Sequence, residues 1–208
     1  MGWWTDHVVP RVVDRSLSTA EVQPLRAETC AGLVGRVLEV GFGSGLNVAH
    51  YPETVTEVRA VEPNDVGWRL AAPRIGAGRV PVVRSGLDGQ RLTEPDGSVD
   101  AVLSTFTMCT IPDLRPALAE MARVLRPGGA LHFAEHGRSP DVAVARWQDR
   151  LQPFYGPTAG GCHLGRPIAE ELRRAGFAID ELSTSYLPGP ALSRPFAYTY
   201  VGRAHVVS

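Results

Sequence analysis

The stretch Val37-Leu38-Glu39-Val40-Gly41-Phe42-Gly43-Ser44-Gly45 decides the fold of this chain. Its apolar start predicts a buried strand, and three glycines at every second position predict a sharp turn into a helix that begins within residues 46–50. Glycine suits such a turn because it adopts unusual backbone angles and lets a ligand approach where a Cβ would otherwise stand. Glu39 is costly to bury unless a polar group meets it. The stretch therefore predicts a nucleotide-like ligand at the end of the strand.

The composition of the 208-residue chain is that of one globular domain, with 44% hydrophobic and 21% charged residues. A net charge of −1 argues against a surface that follows nucleic-acid phosphates. Cys30, Cys109 and Cys162 are widely spaced and form no CxxC pair, so we expect neither a disulfide framework nor a metal site. This cysteine usage favours a reducing, cytoplasmic location. No apolar run approaches the ~20 residues that span a bilayer, so no membrane span is expected.

Strand-like and helix-like segments alternate along the chain, which predicts an α/β fold with a mainly parallel sheet and helices on both faces. Strands are predicted at residues 37–40, 58–61, 81–84, 98–105, 130–135, 177–182 and 196–204. Helices are predicted at residues 65–75, after an N-cap at Asp113, and at residues 168–175.

A single domain spanning residues 1–208 is predicted, with four parts. Residues 1–33 form an N-terminal helical lid, 34–138 the ligand-binding core, 139–166 a cap insertion and 167–208 the C-terminal part of the sheet. The lid and the cap lie outside the alternating pattern. We expect both to fold over the strand ends, where open α/β sheets bind their ligands.

Two cofactor classes compete for the glycine turn. A dinucleotide fingerprint needs a third glycine for close packing of helix on strand, and Leu46 stands at that position. Glu39 would repel a pyrophosphate but attract a ligand with a cationic amino group. Glu62, at the end of the second strand, suits the two hydroxyls of a ribose, which both cofactors contain. The combination favours S-adenosylmethionine over a nicotinamide dinucleotide.

Four motifs carry a resemblance to a known family. In order and spacing they resemble successive motifs of the class I S-adenosylmethionine-dependent methyltransferases: Glu39-Val40-Gly41-Phe42-Gly43-Ser44-Gly45, Val61-Glu62-Pro63, Asp96-Gly97-Ser98-Val99-Asp100 and Val124-Leu125-Arg126-Pro127-Gly128-Gly129. The resemblance implies a Rossmann-like, doubly wound seven-stranded sheet whose last strand is antiparallel. The closing Tyr198-Thr199-Tyr200-Val201-Gly202-Arg203-Ala204 is similar to that last strand.

A narrower resemblance lies in the second half of the chain. Four segments resemble the methyltransferase-like type 7 group, whose members are known as thiol S-methyltransferases: Glu135-His136, Trp147, Gln152-Pro153 and Gly161-Cys162-His163-Leu164-Gly165-Arg166. We do not expect the N-terminal membrane anchor of the animal members here. This resemblance leaves the substrate open.

The family resemblance implies which residues hold the cofactor. The glycines let its methionine end lie against the backbone, and Glu39 supports either the turn or the amino group. Glu62 takes the ribose hydroxyls, and loop residues after the second and third strands border the adenine. Asp88 is also explained as an ordinary loop acid, and Phe106 as ordinary core. The implied set is Glu39, Gly41, Gly43, Gly45, Glu62, Pro63, Leu87, Asp88, Ser104 and Phe106.

Three residues are candidates for catalysis. Thr105 ends the fourth strand, near the expected position of the transferred methyl group. His136 and His163 fall where the cap should meet the strand ends, and histidine titrates near neutral pH, so each is a candidate base or thiolate orienter. A structural hydrogen-bonding role is equally open for each. A free thiol with a pKa of about 8.5 is already ~3% ionised at pH 7, so a strong base is optional.

The expected activity is methyl transfer to a small molecule, with a thiol sulfur as the leading acceptor. Methylation of oxygen, nitrogen or carbon in a small metabolite is the alternative among enzymes. A cofactor-binding partner protein without catalysis is the alternative outside them. A nucleic-acid substrate is disfavoured because Ser104-Thr105-Phe106-Thr107 stands where such enzymes carry an Asn/Asp-Pro-Pro-aromatic run.

Overall fold

Seven strands form one sheet in the computed structural model of the protein, which describes residues 2–207. The strands are β1 (Gly35–Val40), β2 (Val55–Val61), β3 (Val82–Gly86), β4 (Val99–Thr105), β5 (Leu125–His136), β6 (Phe177–Tyr186) and β7 (Tyr198–Val206). Their order across the sheet is β3-β2-β1-β4-β5-β7-β6. β7 runs antiparallel to both of its neighbours, and the other pairs are parallel. The predicted fold class, a doubly wound seven-stranded sheet with an antiparallel last strand, is confirmed.

Six α-helices lie within the described residues: α1 (Val9–Leu17), α2 (Gln23–Cys30), α3 (Asp65–Ala77), α4 (Leu114–Val124), α5 (Val142–Thr158) and α6 (Ile168–Arg174). A π-helical turn, Trp4–Val8, precedes α1. The predicted N-cap of α4 is present, because the carboxylate of Asp113 accepts a hydrogen bond from the Arg115 backbone. None of the helices described is long and apolar enough to cross a bilayer.

The prediction of a helix directly after the glycine turn is wrong. The chain makes only a single 3₁₀ turn there, Val48–His50, and leaves it at Tyr51 in an extended conformation. Tyr51 precedes Pro52, and the ring of a proline disfavours helical backbone angles at the residue before it. The short turn brings the side chains of Asn47 and Tyr51 to Glu39 of β1.

β5 begins at Leu125, before the start predicted at residue 130. Leu125 pairs with Val99 of β4, and the register then shifts so that Ala130 pairs with Ala101. The glycine-rich segment between them is therefore an irregularity within a strand and not a loop before it.

Both faces of the sheet carry an apolar core. α4 and α6 cover one face, where the largest fully buried side chains include Leu118, Met121, Phe133 and Leu172. α2 and α3 cover the other face, whose core includes Cys30, Leu33, Val58 and Ala71. β1 and β4 are neighbours in space although not in sequence, so the order of the strands reverses between them. Open α/β sheets bind ligands in the crevice at such a switch point.

The N-terminal segment, residues 2–33, contacts both the turn after β1 and the end of α5. On the core side, the hydroxyl of Ser44 donates to Asp14 of α1 (2.6 Å), and Arg74 of α3 forms an ion pair with the same carboxylate (2.9 Å). On the cap side, the indole N–H of Trp4 donates to the carbonyl of Thr158 at the end of α5 (3.2 Å). The lid thus touches both the turn after β1 and the helix of the cap.

Candidate active site

The three glycines after β1 are required for different reasons. All have positive φ angles, at 77°, 56° and 74° for Gly41, Gly43 and Gly45. A Cβ on Gly41 would collide with the side chain of Thr107, and one on Gly45 would lie 3.2 Å from the Cβ of Ala71. A Cβ on Gly43 would find its nearest atom 3.9 Å away, at the Gly41 carbonyl. Gly43 is therefore the position of the turn that leaves room for a ligand.

Glu62 follows β2 and faces the same turn. Its carboxylate accepts hydrogen bonds from the backbone N–H of Gly43 (2.6 Å) and of Asn64 (2.7 Å). Burial raises the pKa of Glu62, and these two backbone donors oppose the rise. Each carboxylate oxygen has a second lone pair, so Glu62 can accept further hydrogen bonds while it is held in place.

Glu39 is fully buried and is met by protein side chains. It accepts from the amide of Asn47 (3.0 Å) and from the hydroxyl of Tyr51. Burial raises the pKa of Glu39 to about 7, and the hydrogen bond from Tyr51 is the largest opposing effect. The polar group that the sequence required beside Glu39 therefore comes from the 3₁₀ turn. This fits the predicted role of supporting the turn.

Arg26 of α2 completes this buried network. Its side chain is 3% exposed and donates to Asn47 Oδ1 (2.8 Å) and to Thr105 Oγ1 (3.2 Å). The guanidinium also lies 5.6 Å from the ring centroid of Phe106. Its Nε atom has no hydrogen-bond partner among the residues that the structure describes. Sequence reasoning missed Arg26, Asn47 and Tyr51; the one available signal was the buried charge of Glu39, which required partners.

Ser104 and Thr105 point to opposite faces at the end of β4, as successive strand residues do. Thr105 accepts hydrogen bonds from Arg26 and from Asn47 (2.9 Å), on the lid side. Ser104 donates to Glu135 of β5 (2.8 Å). The structure thus brings Thr105, but not the Ser104 hydroxyl, to the Glu39 network.

Glu135 fixes the segment that follows β4. Its carboxylate accepts from the backbone N–H groups of Thr107 and Met108, both at 3.0 Å, and of Cys109 at 3.2 Å. Phe106, just before them, has a φ of 53°, a conformation that non-glycine residues rarely adopt. The hydrogen bonds to Glu135 therefore hold a strained connection beside the crevice.

Three of the predicted adenine-side residues lie on exposed loops. Pro63 follows β2, and Leu87 and Asp88 follow β3, where Leu87 is 61% exposed. Asp88 accepts from the backbone N–H of Gln90 (2.8 Å), as acids in turns commonly do. Contact with a cofactor stays a prediction for all three.

The two candidate histidines have different surroundings. His136 ends β5 and is 6% exposed; its Nδ1 atom lies 3.6 Å from Cys162 Sγ, and its Nε2 atom has no partner within residues 2–207. His163 is only partly buried and lines a surface depression with Asp149 and Glu171. Burial and, after it, the charge of Arg166 lower the pKa of His163.

Cys109 and Cys162 lie together because a backbone hydrogen bond links their segments: the N–H of His163, next to Cys162, donates to the carbonyl of Cys109 (2.8 Å). Both thiols are buried and free. The Cys109 thiol is the largest cause that lowers the pKa of Cys162, burial opposes it, and the His136 imidazole lowers it further. Within the described part of the chain, no three His, Cys, Asp or Glu side chains are grouped as metal ligands would be.

The chain belongs to the class I S-adenosylmethionine-dependent methyltransferases. Residues 38–133 match the family model described as a methyltransferase domain. The sheet order and the glycine turn at the switch point agree with that class.

Within this class, the chain is similar to thiol S-methyltransferases. The chain is 33% identical over 181 residues to thiol S-methyltransferase TMT1B of Homo sapiens, covering 83% of this chain and 72% of the human protein. It is 31% identical over 174 residues to thiol S-methyltransferase TMT1B of Rattus norvegicus, covering 81% of this chain and 69% of the rat protein. A solved methyltransferase from Thermotoga maritima shares the fold, with a TM-score of 0.69 and 23% identity over 97% of this chain and 99% of that chain.

The cofactor of this enzyme class, S-adenosylmethionine, fits the residues at the turn. Gly43 leaves open space, and Glu62 is a fixed acceptor for the ribose hydroxyls. Arg26 Nε, which has no partner among residues 2–207, is a donor that can meet the carboxylate of the methionine end.

Proposed function

We propose that this enzyme methylates the sulfur of a small thiol. The observation that carries the proposal is the 31–33% identity, over about four fifths of the chain, to proteins that are thiol S-methyltransferases. The buried thiol and imidazole groups at the end of β5 support it, because they offer a place for a sulfur acceptor and a group to receive its proton. A small-molecule acceptor also agrees with the net charge of −1.

For the cofactor, we assign the methionine end to Gly41, Gly43 and Gly45, with the carboxylate received by Arg26. Glu62 would accept the ribose hydroxyls. Glu39 would favour the cationic amino group through the Asn47 contact that it already makes. Pro63, Leu87, Asp88 and Phe106 border the adenine and the sulfonium in this proposal. The hydroxyl of Ser104 would act indirectly, through Glu135.

Bound S-adenosylmethionine supplies an electrophilic methyl group on a positively charged sulfur. The protein must then hold the acceptor sulfur in line with that methyl group and keep water away. Thr105 would orient the reacting groups from the end of β4. His136 would receive the acceptor proton through Nε2, and His163, at the cap surface, would act at the entrance. A cytoplasmic location is part of the proposal, since all three cysteines are buried and free.

The test uses purified protein, labelled S-adenosylmethionine and four acceptors: an alkyl thiol, an aryl thiol, a phenol and a primary amine. We expect label on both thiols. Calorimetry with the cofactor and its demethylated product runs in parallel and reports cofactor binding alone. Label on the phenol or amine, with none on either thiol, would overturn the thiol proposal and leave the methyltransferase class intact.

The matched variants are Glu62→Gln and Glu53→Gln. Glu62 accepts two backbone N–H groups at the crevice, whereas Glu53 forms an exposed ion pair with Arg79. Glu62→Gln should lower cofactor affinity by at least tenfold, since an amide accepts fewer hydrogen bonds than a carboxylate. Glu53→Gln should bind the cofactor as the parent protein does.

A further inference from the structure

We infer that Cys162 positions His136 as the general base for the acceptor: its sulfur accepts a hydrogen bond from Nδ1–H and leaves the lone pair of Nε2 for the proton of the substrate. The inference rests on the proposed thiol acceptor, and it assigns a role to a cysteine that would otherwise be ordinary core. In it, His136 is the catalytic residue and Cys162 is a positioning residue.

The first step is where His136 lies. Thr105 pairs with Ala134, and side chains two residues apart in a strand share a face, so His136 projects from the same face as Thr105. This is the face on which Arg26 of the lid bonds Thr105. His136 therefore ends a strand beside the switch point, on the side that the lid covers.

The second step concerns the ring nitrogen that has no partner. Nε2 of His136 is buried and, among residues 2–207, has no hydrogen-bond partner. Buried polar atoms in folded proteins are almost always paired, because an unpaired one costs free energy. An unpaired ring nitrogen at the carboxyl end of a strand, beside a cofactor crevice, is completed by a bound substrate. A thiol S–H is a donor that can do so.

The third step is the direction of the Cys162–His136 hydrogen bond. Cys109 stands next to Cys162 because its backbone bonds Glu135 and His163. The Cys109 thiol and the His136 imidazole both favour the Cys162 thiolate, and its pKa is lowered. A buried N–H group without an acceptor is rarer than a buried lone pair without a donor. The ring hydrogen therefore lies on Nδ1, which has Cys162 Sγ at 3.6 Å, and Nε2, which has no partner among residues 2–207, is the unprotonated nitrogen. The geometry is that of a base held in one tautomer by an anion, as the buried aspartate of serine proteases holds its histidine.

The step balances within these groups. The S–H bond of the acceptor breaks, its electron pair stays on sulfur, and the proton passes to Nε2 of His136. The acceptor sulfur would then use that pair to bond the methyl carbon, while the bond from this carbon to the positively charged donor sulfur would break and leave its own electron pair on the donor sulfur. The imidazolium beside the Cys162 thiolate forms an ion pair until the proton leaves to solvent.

The ionisable groups around the pair come from several elements. They are Cys109 and Glu135 at the ends of β4 and β5, Tyr155 of α5, and His163 and Arg166 of the segment before α6. Burial raises the pKa of Tyr155 to about 12, so it stays neutral in the working range. The pH profile of Cys162→Ala is therefore compared with that of Cys109→Ala, because the Cys109 thiol contacts the same sulfur.

The kinetic test compares an alkyl thiol, which is protonated at neutral pH, with an aryl thiol that is already ionised. His136→Gln should lower kcat/KM for the alkyl thiol by about 10²–10⁴-fold and leave the aryl thiol nearly unchanged. Cys162→Ala should lower the alkyl rate by about tenfold and shift the acidic limb of its pH profile, with Cys162→Ser in between. Equal losses for both thiols in His136→Gln would overturn the inference.

A second measurement needs no substrate. Two-dimensional nitrogen NMR of the labelled protein reports which ring nitrogen of His136 carries hydrogen; we expect Nδ1–H in the parent protein and a mixture in Cys162→Ala. Nε2–H in the parent protein would overturn the inference. Cys30→Ala is the control for loss of a buried thiol: Cys30 belongs to the core on the α2–α3 face of the sheet, and its removal should leave the His136 tautomer unchanged. If the parent protein methylates no thiol, the proposed function fails by itself, and the tautomer still decides whether the pair exists.

Discussion

The proposed cofactor side of the site is built around one continuous stretch of sequence, to which Arg26 and Glu62 are added, whereas the proposed acceptor side is gathered wholly from distant segments. Glu39, Asn47 and Tyr51 lie within one strand, turn and 3₁₀ segment. Thr105, His136 and Cys162 come from β4, β5 and the segment after α5. Local construction makes the turn after β1 recognisable as a motif, while the acceptor side depends on how the N-terminal segment, residues 139–166 and the sheet pack. Changes on the first side should cost binding and stability, and changes on the second should cost rate.

The largest effect is expected from Gly41→Ala. The new Cβ would collide with Thr107 at a positive φ, so the free energy of unfolding should fall by about 3 kcal/mol or more, with loss of cofactor binding. Gly128→Ala is the matched control, because Gly128 also has a positive φ (82°) but nothing stands within 4 Å of its Cβ position. Backbone strain alone should lower the unfolding free energy of Gly128→Ala by about 1 kcal/mol. Urea unfolding measures both, and equal losses would rule out the collision.

The next effect tests the lid's contribution to the cofactor side. Arg26→Met leaves Asn47 Oδ1 without its donor and removes the cation from the Glu39 network, so the unfolding free energy should fall by about 2 kcal/mol. Cofactor affinity should fall by at least tenfold if Arg26 receives the carboxylate. Arg79→Met, which removes only an exposed ion pair, is the control. Unchanged affinity with lowered stability would confine Arg26 to a structural role.

The third prediction concerns pH. Burial raises the pKa of Glu39 to about 7, above its ordinary value near 4.5. The native state then binds a proton that the unfolded state has released, so the contribution of Glu39 is fully favourable below about pH 4.5 and is lost as pH rises to about 7. The loss amounts to about 3 kcal/mol at most. Burial also raises the pKa values of Glu62 and Glu135, so the stability of the parent protein alone would mix the three carboxylates. The measurement is therefore the difference in unfolding free energy between the parent protein and Glu39→Gln from pH 5 to 8. A difference that does not vary with pH would contradict the assignment.

The smallest effect should come from the contact of lid and turn. Asp14→Asn weakens an ion pair with Arg74 that is partly exposed to solvent, so stability should change by less than about 1 kcal/mol. The hydrogen bond from Ser44 should weaken too, and the cofactor should dissociate severalfold faster in stopped-flow displacement. Glu170→Gln, which breaks an exposed helix pair with Arg174, provides the comparison and should leave dissociation unchanged.

Sequence reasoning recovered the parts of the molecule whose signals are local. β1, the glycine turn, Glu62 after β2 and the Asp113 cap each depend on neighbouring residues, and each is present. The helix predicted to begin within residues 46–50 is absent for a local reason as well, since Pro52 disfavours helical backbone angles at Tyr51.

The missed residues needed information that local pattern does not contain. Arg26 lies on a short lid helix, and its partner Thr105 is 79 residues further along the chain. An arginine on such a helix would ordinarily face water. The approach of Cys162 to His136 depends on the path of the segment after α5, which no periodicity in the sequence reports.

The bond from Trp4 to the cap and the bond from Ser44 to Asp14 involve one continuous N-terminal segment. Because one segment makes both contacts, the turn after β1 and the end of α5 are tied together through it, and a change that detaches residues 4–14 would loosen both at once.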